Sequence, residues 1–171
     1  FVTGRGKRSI EDYFDRSREL EDLLEQRDKL ELRDMVRSIS QLARFSYVRQ
    51  SEPLGLGHAV MCGEPICRNS PFGVVLPDDV MRATPSVLAQ LIEVHKGFGG
   101  SVIALEEVPH DHTYRYGIVE AEAVGDGVYK IRDMVEKPSP ENAPSCLAIM
   151  GRYVLSPSIF EELGSVTPGS G

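Results

Sequence analysis

Short apolar runs alternate with longer amphipathic stretches along the 171-residue chain. Residues 74–76 are apolar without polar alternation, a pattern typical of a strand that is buried on both of its faces. A second apolar run covers residues 101–105, and between the two runs residues 87–92 show helical apolar spacing after Thr84–Pro85, a pair that suits a helix start. With an earlier strand at residues 45–48, this order predicts a mainly parallel α/β sheet with right-handed connections.

The rest of the chain extends this pattern. Three later strands are predicted at residues 118–123, 128–135 and 147–154. The first two are separated by Gly125–Gly127, which indicates a hairpin, and Ser156 begins a last helix. Upstream, residues 10–42 combine helical spacing with many charges, which favours a solvated helical face or an interface helix. The predicted fold class is α/β, with a mixed, mainly parallel sheet flanked by helices in one domain over residues 1–171.

Two carboxylates follow the apolar run at residues 74–76 directly. Asp78 and Asp79 come immediately after Pro77, at the carboxyl end of the predicted strand. Ligands of open α/β sheets bind beyond the carboxyl ends of the strands. Carboxylate oxygens at this place suit Mg²⁺, which is usually held by one or two carboxylates together with substrate phosphates. The alternative is an ordinary turn, because Pro-Asp-Asp is also good turn chemistry.

Two other strand ends carry candidate binding groups. Gly55 and Gly57 lie at a strand-to-helix turn, where glycines let backbone amides approach a ligand closely, although this spacing is also common in plain turns. Glu136 and Lys137 end another strand, and such a pair can bind a sugar hydroxyl and a phosphate respectively. The alternative for this pair is a surface ion pair. The four histidines have no metal-ligand spacing, which favours solvated loop positions for them.

Composition narrows the class of protein. The formal net charge of −7 argues against a general nucleic-acid-binding surface, so an anionic substrate must be met by a few placed cations. No apolar run approaches the length of about 18 residues that a membrane span needs. The three cysteines are an odd number without metal spacing, which favours reduced thiols in a cytoplasmic protein.

A series of short motif-like segments follows along the chain: Val2–Arg8, Gln50–Ala59, Leu76–Asp79, Arg115–Gly117, Glu136–Pro138 and Leu147–Leu155. Taken in this order, they resemble the bacterial UTP–glucose-1-phosphate uridylyltransferase family. The resemblance covers essentially the whole chain and keeps the order of the motifs, which is far more specific than any one of them. It implies a Rossmann-like nucleotidyltransferase fold and an enzyme that joins UTP to glucose 1-phosphate, giving UDP-glucose and pyrophosphate.

The resemblance also implies roles for particular residues, a Mg²⁺ cofactor and a homo-oligomeric intact protein. Gln50 and the backbone of Gly55 would recognise the uracil edge. Asp78 would bind Mg²⁺ and, with Lys137 on the sugar phosphate, form the catalytic pair. The sugar-binding residues would be Asp79, Gly117 and Glu136.

The ends of the chain suggest that it is a piece of a longer protein. It starts at Phe1 without Met and ends in a loop-like Thr167–Gly171. By resemblance, we expect a glycine-rich phosphate loop before it, and a second metal-binding aspartate with further helices after it. Two alternatives stay open at this point: a non-catalytic module for sugar-nucleotide binding or oligomerisation, and a nucleotidyltransferase for another sugar or base.

Overall fold

The computed structural model describes residues 1–165, and the chain divides into two compact units. The first unit comprises Phe1–Ile66 together with the chain from Phe160 onward, and the second comprises Cys67–Ile159. The expectation of one domain over residues 1–171 stays a prediction. No helix within residues 1–165 is long and apolar enough to cross a membrane.

The first unit is mostly helical. Its elements are β1 (Val2–Thr3), α1 (Arg8–Phe14), α2 (Arg18–Gln26), α3 (Leu30–Ser40), β2 (Val48–Arg49), α4 (Gly55–Cys62), α5 (Glu64–Cys67) and, after the second unit, α7 (Ile159–Ser165). The predicted helical character of residues 10–42 is confirmed by α1, α2 and α3. The predicted strand at residues 45–48 is reduced to β2, which pairs in parallel with β1 so that Val2 lies opposite Val48.

A buried carboxylate joins α2 to α3. The Glu21 side chain is 3% exposed, and its carboxylate accepts hydrogen bonds from Arg16 Nε at 2.8 Å and Arg37 Nη2 at 2.7 Å. Hydrogen bonds from Arg16 and then from Arg37 lower the pKa of Glu21 to about 2. A buried carboxylate needs such partners, and the two arginines therefore allow Glu21 to be buried between the helices. The sequence pattern alone favoured a solvated helical face or an interface helix for this region.

Aromatic rings stabilise the short parallel ladder. The Phe1 ring stacks on Phe14, Phe45 and Tyr47 with centroid distances of 5.2, 5.7 and 5.8 Å. Such ring pairs add to the free energy gained from burial alone. The ladder is extended by the backbone N–H of Gln50, which donates to the Thr3 carbonyl at 2.8 Å. The packing therefore fixes the backbone at the residue that was predicted to meet the nucleotide base.

The second unit is built on a five-stranded sheet. Its elements are β3 (Phe72–Val75), α6 (Val87–Phe98), β4 (Val102–Glu107), β5 (Gly117–Gly125), β6 (Val128–Glu136) and β7 (Leu147–Leu155), with 3-10 helices at His110–Arg115 and Pro140–Asn142. The predicted strands and the β5–β6 hairpin are confirmed. Helix α6 begins later than predicted, with Ser86 as its N-cap: the Ser86 hydroxyl accepts the Ala89 N–H at 3.3 Å.

Strand β7 is the centre of this sheet. Val154 lies opposite Gly73 of β3 on one edge and Val102 of β4 on the other, while Ala148 lies opposite Ile118 of β5. Every one of these pairings is antiparallel, as is that of β5 with β6. The α/β class with both parallel and antiparallel pairing is confirmed, since β1 and β2 form a parallel pair, but the expectation of mainly parallel pairing is wrong for the five-stranded sheet.

The physical reason is the insertion of β7. Strands β3 and β4 do run in the same direction, as a strand–helix–strand unit requires, since each is antiparallel to β7. They are not hydrogen-bonded to each other because β7, more than forty residues further along the chain, lies between them. Local pattern predicts the direction of successive strands and leaves open which strand will separate them.

The core of the second unit lies between α6 and the sheet. Leu91, Ala104 and Val154 are its buried residues, and Leu88 and Met150 pack against them. Strand β3 is not buried on both faces as predicted, because its residues alternate between half-buried and exposed and Val75 is 51% exposed. Its four residues therefore follow the ordinary alternation of a strand with one covered face.

Candidate functional site

The loop Leu76–Asp79, called here the aspartate loop, follows β3 and is held against β7. The Leu76 N–H donates to the Gly151 carbonyl at 2.9 Å, which extends the β3–β7 ladder by one residue. In return, the Gly151 N–H donates to Asp79 Oδ2 at 2.7 Å. The Arg152 guanidinium then donates to three carbonyl oxygens, two of them in the loop. The sequence prediction of an ordinary turn describes the backbone here only in part, since the turn is fixed from a distant strand.

Gly151 is required for this close approach. A Cβ at Gly151 would lie 2.8 Å from Leu76 Cβ and 3.0 Å from Asp79 Cβ, and 3.1 Å from Asp79 Oδ2. These distances are shorter than ordinary contacts between carbon atoms. Only a residue without a side chain lets β7 and the aspartate loop pack at this separation.

The two aspartates of the loop have different environments. Asp79 is half-buried and its carboxylate is engaged by the Gly151 amide. Asp78 is exposed, and within residues 1–165 its carboxylate has no hydrogen bond or ion pair. Those residues also contain no group of three or more His, Cys, Asp or Glu side chains that could enclose a metal ion. A single open carboxylate fits a cation such as Mg²⁺, which keeps water and substrate phosphates as its remaining ligands.

Glu136 and Lys137 lie where β6 ends. Lys137 Nζ is 3.2 Å from Glu136 Oε1, and both side chains are well exposed. An exposed pair of this kind contributes little stability and is easily exchanged for another partner. Lys137 has a φ of 47°, a left-handed backbone that is uncommon for a residue other than glycine, and its N–H donates to the Tyr116 carbonyl at 3.0 Å. Strain of this kind gathers at functional sites.

Gly117 lies on the neighbouring strand, where a side chain would meet the same carboxylate. It lies opposite Glu136 in the β5–β6 ladder, and a Cβ on it would be 3.3 Å from Glu136 Oε2 and 3.2 Å from Ile149 Cδ1. A side chain at this position would push the carboxylate aside. The structure thus brings together three of the residues predicted for the sugar end: Gly117, Glu136 and Lys137.

Tyr153 connects this group to the aspartate loop. Burial raises the pKa of its hydroxyl above the usual value, and the nearby negative charges of Asp79 and Glu136 raise it further. Both carboxylates are therefore close enough to act on one phenol, although they end different strands. The hydroxyl stays protonated at neutral pH and can therefore donate a hydrogen bond.

In the first unit, Gln50 and Gly55 form a second candidate group. Gln50 Nε2 donates to the Gly55 carbonyl at 3.2 Å and lies 3.0 Å from His58 Nδ1. This leaves the side-chain carbonyl Oε1 as the group of Gln50 that can accept a further hydrogen bond. Gly55 has a φ of 89°, and a Cβ there would meet nothing within 4 Å, so the space over it is open to a ligand. The expectation of a solvated loop for His58 is wrong, because it is half-buried in α4.

Sequence reasoning missed Gly151, Arg152 and Tyr153 as members of the site. All three lie within β7, where an apolar strand was correctly predicted and no chemistry was sought. A glycine inside a strand often marks the close approach of another backbone, and that signal could have identified Gly151. The role of Arg152 depends on loop carbonyls more than seventy residues earlier in the chain.

A family model described as nucleotidyl transferase matches residues 15–170. The chain therefore belongs to the nucleotidyl transferase family, and the sequence-based assignment is confirmed. Within that family the chain is 46% identical over 170 residues to a UTP–glucose-1-phosphate uridylyltransferase of Bacillus subtilis strain 168, named YngB. The match takes in 99% of this chain and 57% of that relative.

Solved structures give the same result. The chain superposes on an apo UDP-glucose pyrophosphorylase with a TM-score of 0.89 at 46% identity, covering 99% of this chain and 63% of that one. A UDP-glucose pyrophosphorylase in complex with UDP-glucose gives 0.84 at 44% identity, covering 99% and 62%. The chain thus spans roughly three-fifths of the length of the proteins that it resembles.

Proposed function

We propose that the protein carrying this chain transfers the uridylyl group of UTP to glucose 1-phosphate, giving UDP-glucose and pyrophosphate. The observation that carries the proposal is the open carboxylate of Asp78 on the aspartate loop, where the neighbouring Asp79 acts on the same Tyr153 hydroxyl as Glu136 does. The names of the similar proteins, and the UDP-glucose bound by one of them, support the same substrates. In this reaction a phosphate oxygen of glucose 1-phosphate attacks the α-phosphorus of UTP, and pyrophosphate leaves.

Asp78 would hold the metal ion. Nucleotidyl transferases of this kind generally need a divalent metal, and we propose Mg²⁺. When bound, the ion neutralises charge that develops on the phosphate oxygens during the displacement. The part played by the protein is positioning: the hydrogen bond from the Gly151 N–H to the Asp79 carboxylate holds the aspartate loop against β7, so that Asp78 would present its oxygens to the ion.

The residues around Glu136 would bind the sugar phosphate. The Glu136 carboxylate, the Gly117 backbone and the Asp79 side chain offer polar groups for glucose hydroxyls. The Lys137 ammonium would leave its exposed pairing with Glu136 and bind the phosphate, because a charge-assisted bond to phosphate is stronger than a surface ion pair. Lys137 thereby lowers the repulsion between the attacking phosphate oxygen and the triphosphate.

Gln50 and Gly55 would recognise the base. The free Oε1 of Gln50 is an acceptor and suits the N3–H donor of uracil, whereas the corresponding ring nitrogen of adenine or cytosine is itself an acceptor. Two acceptors facing each other lose a hydrogen bond and leave a polar group unpaired, which costs about 1–3 kcal/mol. Thymine carries the same N3–H, so this contact alone does not separate UTP from dTTP.

The test measures pyrophosphate release by the whole protein with UTP, glucose 1-phosphate and Mg²⁺. Asp78→Asn keeps the shape of the side chain and removes its charge, and we expect turnover to fall by about 10-fold to 100-fold or more. Asp126→Asn, in the exposed β5–β6 turn, is the matched control and should leave turnover unchanged. Tight UDP-glucose binding without any turnover would instead indicate a non-catalytic sugar-nucleotide-binding module. Turnover with another nucleotide or sugar phosphate alone would refute the substrate assignment.

Homo-oligomeric assembly and a cytoplasmic location stay predictions.

A further inference from the structure

The side-chain N–H groups of Arg152 donate to backbone carbonyl oxygens. Its Nη1 donates to the Leu76 carbonyl at 2.9 Å and to the Gly151 carbonyl at 2.8 Å, and its Nη2 donates to the Asp79 carbonyl at 2.7 Å. Within residues 1–165 it forms no ion pair with a carboxylate. An arginine in a binding site commonly pairs with a carboxylate or phosphate, so this use of the guanidinium calls for another explanation.

The geometry of the three contacts explains why arginine is present. The planar guanidinium holds several N–H donors in a fixed fork, so one side chain can bind carbonyls at both ends of the aspartate loop at once. Leu76 begins the loop and Asp79 ends it, and both are tied to the same residue of β7. A lysine at this position would keep the positive charge but could not reproduce the fork.

Asp78 lies between the two tethered residues. Its own side chain has no partner within residues 1–165, so its position is set by the loop backbone alone. The direct loop contacts besides Arg152 are the Gly151 amide on Asp79, the Leu76 ladder bond and a 3.4 Å turn bond from the Asp79 N–H to the Leu76 carbonyl. The 3.4 Å bond is long, so the turn itself gives Asp78 little restraint.

We propose that Arg152 is a positioning residue, which holds the aspartate loop in the conformation that lets Asp78 bind the metal–nucleotide complex. This inference rests on the proposed function, since it takes Asp78 as the metal ligand. Arg152 does not need to touch substrate in order to act. Its loss would leave the Asp78 carboxylate present but free to sample other positions, which weakens metal binding without removing a ligand.

The experiment uses the whole protein with Arg152→Met and Arg152→Lys. Arg132→Met is the matched control, because Arg132 is an arginine of the same sheet whose guanidinium pairs with Glu122 on the neighbouring strand. Mn²⁺ serves as the metal probe and is titrated in the presence of UTP with detection by electron paramagnetic resonance. Amide hydrogen exchange of Leu76, Asp79 and Gly151 is measured without metal or nucleotide.

We expect both Arg152 variants to raise the half-saturating Mn²⁺ concentration by about 10-fold to 100-fold, the range seen when partners that orient a metal ligand are removed. Exchange of the three loop amides should accelerate by at least about tenfold, which corresponds to about 1.4 kcal/mol, while the hairpin amides of β5 and β6 stay unchanged. In an Asp78→Asn background, Arg152→Met should add little further loss of Mn²⁺ affinity, because the ligand that it positions is already gone.

Two results would overturn the proposal. Normal Mn²⁺ affinity in Arg152→Lys would show that charge alone matters, and uniform acceleration of exchange across the sheet would show that Arg152 supports the fold as a whole. Failure of the proposed function would look different: the unmodified protein would release no pyrophosphate, while the exchange data would still decide whether Arg152 restrains the loop.

Discussion

Gly151→Ala tests whether the close approach of β7 to the aspartate loop is as tight as the structure indicates. The added Cβ would lie 2.8 Å from Leu76 Cβ and 3.0 Å from Asp79 Cβ. Neither neighbour is the far end of a flexible side chain, so no rotamer change relieves the contact. The loop backbone and β7 must separate instead, which stretches the bonds that Gly151 and Arg152 make to the loop.

The size of the effect follows from this geometry. Forcing an extra carbon atom into a well-packed site costs roughly 1–3 kcal/mol. For a protein of this size each kcal/mol lowers the melting temperature by about 2–4 °C, so the expected decrease is roughly 2–12 °C. Because the loop carries Asp78, we also expect turnover to fall further than the loss of stability explains, with a higher Mg²⁺ requirement.

The assay combines thermal unfolding with pyrophosphate release at several Mg²⁺ concentrations. Gly97→Ala is the control, since a Cβ at Gly97 in α6 meets nothing within 4 Å. That change should stabilise the protein by about 0.5–1 kcal/mol, because alanine loses less backbone entropy than glycine on folding. A Gly151→Ala protein with normal stability and normal Mg²⁺ dependence would refute the proposed contact between β7 and the loop.

Three further predictions use other parts of the chain. Glu21→Gln should reduce stability at neutral pH and have a smaller effect as the pH falls. The pKa of Glu21 is lowered from 4.5 to about 2, so the stability that its charge contributes is present above pH 4.5 and is lost as the pH falls to about 2. Unfolding midpoints measured across that pH range would show this. Lys137→Ala should raise the KM for glucose 1-phosphate with little change in melting temperature. Lys137→Gly should raise the KM and also the melting temperature, because glycine removes the strain of the left-handed backbone, which costs other residues about 1–2 kcal/mol. Equal melting temperatures for the two variants would contradict this strain. Gln50→Ala should weaken UTP binding by about 1–3 kcal/mol while leaving ATP binding unchanged, as calorimetric titration would show, and equal losses for both nucleotides would argue against base recognition.

The parts of the fold that sequence predicted well are those set by neighbouring residues. The β5–β6 hairpin was found from two predicted strands around Gly125–Gly127, because both the strands and the turn are local. The direction of β3 relative to β4 was found for the same reason. The position of β7 between them was not predicted, because the pairing of Gly73 with Val154 joins distant parts of the chain. Neither segment alone contains a pattern that indicates this pairing.

The site divides in the same way. Asp78 and Lys137 are conspicuous in the sequence, because each lies just past the end of a predicted strand, where ligands of α/β sheets bind. Arg152 looks like an ordinary exposed position in a strand, and its function appears only when the carbonyl of Leu76, 76 residues earlier, is beside it. Residues proposed to touch a ligand thus leave a local signal, whereas residues proposed to hold others in place depend on long-range contacts.

The charges of the second unit give the proposed metal ion a physical role. Asp78, Asp79 and Glu136 are three carboxylates in a chain of net charge −7, and both proposed substrates carry negatively charged phosphates. Asp79 is neutralised in part by the Gly151 amide, and Glu136 has Lys137, but Asp78 has no such partner within residues 1–165. Without a divalent cation, Asp78 repels the nucleotide that it is proposed to bind, since like charges a few ångströms apart oppose each other even in water. Arg152 keeps that unfavourable carboxylate in place by binding the backbone on both sides of it, which is a use of positive charge that leaves the Asp78 oxygens free for the cation.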